Sequence, residues 1–336
     1  MTARRVTASA PSRIDLAGGT LDIWPLTVLV PGAVTVNLAI ELRAEVRVER
    51  RSDRRAKVIS RDRGRQATRR LPIDPHRIEG PLALLLRLAA AFDLPRGVTL
   101  VSRAEAPAGA GLGGSSTLGI AAAAALNRLA DGRLARERML RRVMNLEAIE
   151  LRVPTGDQDY RAALFGGFAA YHHGTDGTGR EPLPGARELE SRLVLAYTGQ
   201  PRGSGSSNWD MVRRFIDAER RTVSNMEAIA RIAVEMADAF RAGRLDDAGR
   251  LLGEEGRLRY RLSPSVATPA LRRADRAARR AGALGTKVCG AGGGGCLVAF
   301  APTEKREAVA RALAAAGAEI LPVRVARRGV RVETER

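Results

Sequence analysis

The amino-acid sequence predicts an α+β fold organised in two domains. Its 336 residues exceed what a single hydrophobic core usually holds together. Segments with the period of strands alternate with segments that have the period of helices, and residues 172–190 are rich in glycine, proline and charge. We interpret this stretch as a linker, and we expect an N-terminal domain over residues 1–180 and a C-terminal domain over residues 190–336.

The first half of the chain alternates between strand and helix patterns. Residues 34–48 carry apolar side chains at every second position, as a half-buried strand does. Leucine-rich and alanine-rich segments favour helices, and the turn that starts at Pro154 ends the last of them. The predicted strands cover residues 6–16, 34–48 and 98–101, and the predicted helices cover residues 81–92, 118–129 and 134–151.

The second half mixes long helical patterns with short apolar runs. Strands and helices in this order are typical of an α+β domain. The predicted strands cover residues 193–197, 286–289, 297–300 and 321–332, and the predicted helices cover residues 209–241, 245–262, 269–281 and 304–316.

The net charge of +19 comes almost entirely from arginine. The arginines are spread along the whole chain and often stand next to acidic residues. The densest basic stretch, residues 50–70, contains no aromatic side chain on which bases could stack. We therefore rank nucleic-acid binding below a small-molecule function, although the positive field would attract a phosphorylated substrate.

The chain has no apolar run long enough to span a bilayer, and its first residues are not followed by the apolar core of a signal peptide. The two cysteines, Cys289 and Cys296, are too few for a disulfide framework. We therefore expect a soluble, cytoplasmic protein with free thiols and no membrane partner.

Residues 107–117, called the serine loop below, form the most informative motif. The loop is rich in glycine, contains Ser115 and Ser116, and leads directly into the alanine-rich predicted helix. Glycine backbone at a helix start brings bare N–H groups and the positive end of the helix dipole together, which favours phosphate binding. The structural alternative is a glycine turn with Ser116 or Thr117 as an ordinary N-cap.

Two more glycine motifs, residues 10–22 and 285–296, lie on either side of the serine loop in the chain. The order and spacing of the three motifs resemble those of the GHMP kinases, the family named for galactokinase, homoserine kinase, mevalonate kinase and phosphomevalonate kinase. The resemblance covers essentially the whole chain. It implies an N-terminal ribosomal-S5-like α/β domain, a C-terminal ferredoxin-like α+β domain with added helices, and phosphoryl transfer from ATP with Mg²⁺.

Details within the motifs are similar to the sugar-kinase branch, which includes heptose 7-phosphate kinases, fucokinases and galactokinases. Arg13 stands where mevalonate-type members carry lysine, and Gly114 is an extra residue similar to one in sugar-kinase relatives. Residues 156–159 resemble the aspartate motif of the heptose-phosphate branch. Thr20-Leu21 depart from the Gly-Thr usual in that branch, while Asp22 keeps the register.

The resemblance assigns the ATP and Mg²⁺ contacts residue by residue. Ser116 is the predicted ligand of both Mg²⁺ and phosphate. Mg²⁺ also prefers a carboxylate, for which Glu147 is the first candidate and Glu150 the alternative. The predicted ATP contacts are Pro107, Gly109, Gly111, Leu112, Gly113, Gly114, Ser115 and Ser116.

The same resemblance assigns catalysis and acceptor binding. Asp159 is the predicted catalytic carboxylate that takes the acceptor proton, with Asp157 as the competing candidate. Arg13 would stabilise developing charge or orient Asp159. The predicted acceptor contacts are Asp22, with Asp15 as the alternative, then Gly292 and Gly293, and Arg202 for a phosphate on the acceptor.

These residues together predict an ATP-dependent sugar kinase that phosphorylates a hydroxyl, expected to be anomeric, of a heptose 7-phosphate, fucose or related sugar. Two alternatives stay open at this point. One is a mevalonate-type or amino-alcohol kinase, which the polar first motif disfavours. The other is a sugar sensor with a kinase fold and no turnover, which would have no need to keep both Ser116 and Asp159.

Overall fold

The computed structural model describes residues 5–92, 94, 96–201, 206–262 and 266–335, without the side chains of residues 206 and 207. The strands are β1 (Arg5–Ala17), β2 (Val34–Arg50), β3 (Arg55–Ser60), β4 (Arg65–Arg70), β5 (Val98–Ala104), β6 (Phe168–Gly174), β7 (Gly177–Pro182), β8 (Leu193–Tyr197), β9 (Gly285–Val288), β10 (Cys296–Phe300), β11 (Glu319–Leu321) and β12 (Arg331–Glu335). The helices are α1 (Leu26–Leu29), α2 (Ala83–Ala91), α3 (Gly114–Leu129), α4 (Arg136–Leu151), α5 (Gln158–Phe165), α6 (Ala186–Arg192), α7 (Ser206–Ile216), α8 (Arg220–Arg241), α9 (Leu245–Leu262), α10 (Pro269–Arg280) and α11 (Arg306–Ala315).

The first sheet has the strand order β12-β1-β2-β5-β3-β4, and β6 and β7 extend it beyond the first half of β2. The long antiparallel pair β1/β2 is interrupted by register shifts between Pro11 and Ser12 and between Asp15 and Ala17. Irregularities of this kind re-aim side chains and are frequent beside functional sites. Here they lie on either side of Arg13 on β1.

Helix α3 packs across β1 and β2 with a face of small side chains. Residues 121–125 are all alanines, and all are buried. Alanine keeps helix propensity high and brings the helix axis close to the sheet. The alanine-rich segment therefore forms the buried helix of the first core rather than a surface helix.

The second sheet is fully antiparallel, in the order β11-β8-β10-β9. Helix α9 lies against β9 with almost no side chains between the two backbones. A Cβ added at Gly253 would lie 2.9 Å from the Cα of Gly285, and one at Gly256 would lie 2.2 Å from the carbonyl oxygen of Thr286. The glycines of α9 therefore permit this close approach, which brings Glu255, between Gly253 and Gly256, to the junction of the two sheets.

A continuous apolar core joins the two sheets. It includes Ile14 and Leu38 of the first sheet, Leu195 of the second sheet, and Phe240 of α8. Phe168 and Phe240 pack edge to face with ring centroids 4.7 Å apart. The two halves of the chain therefore share one packed interface.

Most predicted elements of the sequence are present, but the linker over residues 172–190 is wrong. Residues 172–174 finish β6, β7 pairs with β6 as a hairpin, and α6 leads into β8. Both hairpin strands are short. Residues 172–174 of β6 and most of β7 are polar or glycine, which is the composition of a sheet edge that faces solvent. The glycine-rich and charged composition therefore marked an edge hairpin of the first sheet.

Two further segments differ from the predicted elements. The helix predicted over residues 209–241 is divided into α7 and α8 near Ala218, whose φ of +55° is left-handed and carries no glycine or proline signal. The strand predicted over residues 321–332 is divided into β11 and β12, which belong to different sheets. Because β12 pairs with β1, the end of the chain returns to the first sheet and leaves the domain predicted over residues 190–336.

The β3/β4 hairpin, in the basic stretch of residues 50–70, was not among the predicted elements. Its strands are antiparallel to each other, and β3 pairs in parallel with β5. Within the described part of the chain, no helix combines the length and the apolar character that crossing a bilayer requires.

Candidate active site

A cavity of ≈ 410 Å³ lies between the two halves of the chain. Its lining contains both apolar side chains and polar or charged ones. The apolar lining includes Pro81, Leu82, Leu84, Leu85, Leu118, Leu151 and Val153, and the polar lining includes Arg13, Asp15, Thr20, Asp22, Ser116, Glu147, Gln158, Asp159, Asn208 and Arg259. This combination of an apolar pocket with convergent polar groups is typical of small-molecule sites.

The serine loop closes the cavity at the start of α3. Gly113 has a left-handed φ of +74°, and helix α3 begins at the next residue. The first turn of a helix has N–H groups without intrahelical partners, and residues 107–116 all line the cavity. The loop and the helix dipole together form a phosphate-binding geometry.

The second half of the chain supports the serine loop through backbone contacts. Cys296 at the start of β10 donates its N–H to the carbonyl of Ala110 (2.8 Å). A Cβ at Gly111, whose φ is +81°, would lie 2.3 Å from the carbonyl oxygen of Cys289. The third glycine motif thus contacts the serine loop directly, and a side chain at position 111 would push the two apart.

Arg13 links the serine loop to Asp159. Its Nη2 lies 2.6 Å from Asp159 Oδ1, its Nη1 donates to the carbonyl of Gly111 (2.7 Å), and its backbone N–H donates to the carbonyl of Leu112 (3.1 Å). Burial lowers the pKa of Arg13, but the neighbouring carboxylates outweigh burial and keep that pKa above its ordinary value. Arg13 is therefore a buried, fully charged partner of Asp159.

Asp159, and not Asp157, faces the cavity. Asp157 accepts hydrogen bonds from Arg161 Nε (2.6 Å) and Thr178 Oγ1 (2.9 Å), and its other oxygen lies 3.7 Å from His173 Nδ1. Asp159 lines the cavity directly beside Gly113, where an added Cβ would lie 3.0 Å from its Cγ. The geometry separates the two candidates for the catalytic carboxylate, because Asp157 is engaged in a network that fixes the start of α5.

Ser116 and Glu147 are in direct contact at the other side of the serine loop. Ser116 Oγ donates to Glu147 Oε2 (3.0 Å), and the Tyr160 hydroxyl donates to the same oxygen (2.6 Å). Burial raises the pKa of Glu147, while hydrogen bonds from Tyr160, Ser115 and Ser116 act in the opposite direction. The pair thus joins a hydroxyl and a carboxylate beside the phosphate-binding loop.

This donor set fits Mg²⁺. Mg²⁺ is held in such sites by one or two protein oxygens together with substrate phosphates and water, and it needs no complete protein cage. Within the described ranges, no group of three or more His, Cys, Asp or Glu side chains could form a closed metal site. Glu150, the alternative ligand, lines the cavity but forms an ion pair with Arg87 (3.2 Å).

Residues 18–22, called the acceptor turn below, lie opposite the serine loop. Asp22 accepts hydrogen bonds from the backbone N–H (3.1 Å) and side-chain Nε2 (3.3 Å) of Gln158. Burial, and then the neighbouring carboxylate of Asp157, raise the pKa of Asp22 to about 7. Thr20 Oγ1 donates to Asn208 Oδ1 of α7 (3.4 Å), so that the second half of the chain also contributes to this end of the cavity.

A buried ionic cluster beneath the acceptor turn was not found by sequence reasoning. Lys287 Nζ lies 2.7 Å from Asp15 Oδ1 and 3.3 Å from Glu255 Oε1, and Arg259 Nε donates to Glu255 Oε1 (2.8 Å). All four side chains are at most 3% exposed. The one available signal was Lys287, because lysine is rare in a chain whose basic residues are nearly all arginine.

The third glycine motif contributes Gly290 and Ala291 to the cavity lining, and not Gly292 or Gly293. Gly293 donates its N–H to the carbonyl of Val266 (3.0 Å), and a Cβ at Gly292 would lie 2.6 Å from the Val266 side chain. Gly292 and Gly293 therefore lie beside Val266 and not in the described lining, and their role in acceptor binding stays a prediction. Arg202, the predicted contact for an acceptor phosphate, lies outside the described residues.

Comparison with known proteins places these features in a family. The chain matches the models of the GHMP kinases N terminal domain over residues 81–167 and of the GHMP kinases C terminal domain over residues 236–319. It is 34% identical over 242 residues to mevalonate kinase from Pyrococcus horikoshii, which covers 70% of this chain and 69% of that protein.

Sugar kinases are also among its relatives. The chain is 28% identical over 224 residues to D-glycero-alpha-D-manno-heptose 7-phosphate kinase from Campylobacter jejuni, covering 65% of this chain and 66% of that protein. Its fold superposes on the crystal structure of a D-glycero-D-manno-heptose 1-phosphate kinase from Bacteroides thetaiotaomicron with a TM-score of 0.76, at 25% identity over 98% of both chains.

Proposed function

Because the chain belongs to the GHMP kinases, whose phosphate donor is ATP, we propose that its acceptor is a sugar or sugar phosphate. The transferred γ-phosphoryl group would go to a hydroxyl, which we expect to be the anomeric one. Membership of the family already implies phosphoryl transfer to a small molecule, and the acceptor remains to be identified.

The single observation that carries this proposal is the chemistry of the acceptor end of the cavity. Three carboxylates, those of Asp15, Asp22 and Asp159, line this end, together with Gln158 and Thr20. Carboxylates and amides are good acceptors for the hydroxyls of a polyol. Arg13 and Arg259, which line the same cavity, are already paired with Asp159 and Glu255. A mevalonate carboxylate would have to compete with these carboxylates for its cationic partner, which disfavours mevalonate at this end.

The donor side would bind ATP along the serine loop. The N–H groups at the start of α3 would hold the phosphates, and the apolar lining near Leu82 and Leu118 would receive the base. Ser116 and Glu147 would hold Mg²⁺, which supplies neutralisation of phosphate charge when bound. The serine loop, Ser116 and Glu147 already line the same cavity. ATP and Mg²⁺ could therefore bind without a rearrangement of these residues.

Asp159 would accept the proton of the attacking hydroxyl, and Arg13 would hold its carboxylate in place. The 2.6 Å ion pair fixes Asp159 against the serine loop, so that its oxygens stay between the phosphate site and the acceptor turn. Arg13 also contacts the carbonyl of Gly111, and a shift of the loop would therefore move the carboxylate with it. This coupling keeps the Asp159 carboxylate at a fixed position relative to the ATP phosphates on the serine loop.

A mevalonate-type kinase is the second candidate, and one observation favours it. The mevalonate kinase of Pyrococcus horikoshii shares 34% identity with the chain, above the 28% of the Campylobacter jejuni heptose 7-phosphate kinase. Overall identity does not report the acceptor, however, because acceptor choice depends on a few hydrogen bonds.

A screen of ADP release separates the two candidates. The acceptors are free hexoses, deoxyhexoses, heptoses, their phosphates, and mevalonate, each at equal concentration with MgATP. We expect the highest kcat/KM for a sugar or sugar phosphate, with phosphorus NMR of the product reporting an anomeric phosphate. A higher kcat/KM for mevalonate than for every sugar would establish the second candidate. The Asp159→Asn variant is the control for contaminating kinases.

A further inference from the structure

The acceptor turn is held in a strained conformation. Thr20, a β-branched residue, has a left-handed φ of +79° and is buried. A β-branched residue in this region is a real outlier, and it persists only where the surrounding structure over-determines it. Its hydroxyl lies at the acceptor end of the cavity, where it contacts Asn208.

The second half of the chain provides the contacts that hold the turn in this conformation. The N–H of Gly18 donates to Glu255 Oε2 (2.8 Å), and Arg259 Nη2 donates to the carbonyl of Gly19 (2.6 Å). Both charged groups come from α9 and pair with each other, and Glu255 also pairs with Lys287 of β9. The turn is thus held at two consecutive residues, through the N–H of Gly18 and the carbonyl of Gly19, by an ion pair that the other half of the chain provides.

Stability alone does not explain this ion pair. A buried ionic cluster is weak support for a fold, because well-packed apolar side chains of similar volume often stabilise as much or more. Glu255 and Arg259 instead direct their remaining hydrogen bonds to backbone groups of the acceptor turn. The contacts at Gly18 and Gly19 immediately precede the residue in the strained conformation.

We propose that Glu255 and Arg259 are positioning residues for the acceptor: they clamp residues 18 and 19 so that Thr20 and Asp22 point into the cavity. The proposal rests on the proposed function for the identity of the acceptor, but the clamp itself does not depend on which acceptor is used. Because the clamp comes from α9, the acceptor site is complete only when the two halves of the chain are packed together.

The Arg259→Lys variant tests the clamp. Lysine keeps the positive charge beside Glu255 but lacks the second N–H group of the guanidinium fork, which reaches the carbonyl of Gly19. We expect the KM for the acceptor to rise about tenfold while the KM for ATP changes less than about twofold. The matched control is Arg279→Lys, which alters another Arg-carboxylate pair at the same helical spacing, to Asp275 of α10.

A double-mutant cycle shows whether Arg259 acts through the turn. Thr20→Gly removes the strain and the hydroxyl together, and its melting temperature should not fall, because glycine adopts a left-handed φ freely. We expect Arg259→Lys to affect acceptor kcat/KM less in the Thr20→Gly background than in the wild type. Additive effects would show that Arg259 does not act through Thr20, and they would overturn the proposal.

Hydrogen exchange provides a readout that needs no acceptor. Exchange in a peptide that covers residues 18–23 should be faster in Arg259→Lys than in the wild type and unchanged in Arg279→Lys. Unchanged exchange, equal rises in both KM values, or the same effect from both variants would overturn the clamp. If the wild type turns over no sugar in the screen, the proposed function fails, while the exchange experiment still decides whether the clamp exists.

Discussion

At the scale of single residues, the two aspartates at the start of α5, Asp157 and Asp159, have different surroundings. Asp157 and Asp159 are two positions apart, yet Asp157 accepts hydrogen bonds from Arg161 and Thr178 while Asp159 faces the cavity beside Arg13. The sequence ranked Asp159 first, but spacing could not show which partners engage Asp157. One of them is Thr178, which lies in a hairpin that the sequence did not predict.

This separation predicts opposite behaviour for two conservative variants. Asp159→Asn removes the proposed proton acceptor, so kcat should fall about 10²- to 10⁴-fold. Asp157→Asn loses a charged partner of Arg161, so the protein should unfold at lower denaturant concentration while kcat stays within about threefold of the wild type. Steady-state ADP release and urea unfolding of both variants measure these effects. A larger loss of kcat in Asp157→Asn than in Asp159→Asn would reverse the assignment.

Asp22 gives the stability of the protein a pH dependence of its own. Its pKa of about 7 lies above the ordinary value of 3.8, so between these pH values the folded protein holds a proton that the unfolded chain releases. The contribution of Asp22 to the free energy of unfolding therefore decreases as pH rises from 4 to 7, by on the order of 4 kcal/mol. Burial lowers the pKa of His173 to about 4, and its contribution therefore increases over much of the same range.

Comparison with Asp22→Asn isolates this effect, because His173 is common to both proteins. Asparagine keeps a hydrogen-bond acceptor for Gln158 but carries no charge at any pH. We expect the free energy of unfolding of the variant, relative to the wild type, to increase by a few kcal/mol between pH 4 and pH 8. Urea unfolding at several pH values measures it. A constant difference across that range would mean that Asp22 titrates normally in the folded protein.

At the scale of elements, the sequence predicted those whose pattern is local. Helices α3, α4 and α9 and strands β1, β2 and β8 are present because side-chain periodicity is a property of each segment alone. The β6/β7 hairpin and the division between α7 and α8 were missed, since their causes are an exposed sheet edge and a left-handed Ala218. The glycines of the hairpin were interpreted as a linker, and the left-handed Ala218 leaves neither a periodic nor a glycine-proline signal.

The glycines of α9 are the element-scale feature that most directly affects the site. At Gly256 an alanine methyl would lie 2.2 Å from the carbonyl oxygen of Thr286, so α9 would have to move away from β9. We expect Gly256→Ala to lower the free energy of unfolding by about 1–3 kcal/mol, despite the higher helix propensity of alanine. The acceptor KM should also rise, because Glu255 moves with the helix.

Gly174→Ala is the matched control for this variant. Position 174 has open space around the added methyl group, so its unfolding midpoint and acceptor KM should remain close to those of the wild type. Urea unfolding and ADP release with both variants check the difference. A Gly256→Ala protein as stable as the wild type would show that α9 and β9 tolerate separation.

At the scale of the whole molecule, the site depends on contacts that no local pattern encodes. Asp15, Glu255, Arg259 and Lys287 are brought together from distant parts of the chain. The motif residues of the serine loop could be predicted because they are contiguous and carry phosphate-binding chemistry within themselves. The clamp could not, because its function depends on how α9 packs against β9 and on the peptide groups of the acceptor turn.

The net charge of +19 acts on the whole molecule and leads to a prediction about salt. A positive field attracts an anionic ligand over distances comparable to the Debye length and has no effect on a neutral one. The KM for MgATP should therefore rise about two- to fivefold between 50 and 300 mM salt, while the KM for a free, uncharged sugar stays constant. ADP release in a NaCl series measures both values in the same protein. The neutral sugar is the internal control, because both KM values are measured on the same protein in the same buffer. If the KM for the sugar rises in parallel with the KM for MgATP, salt acts on the folded structure and not through the electrostatic field.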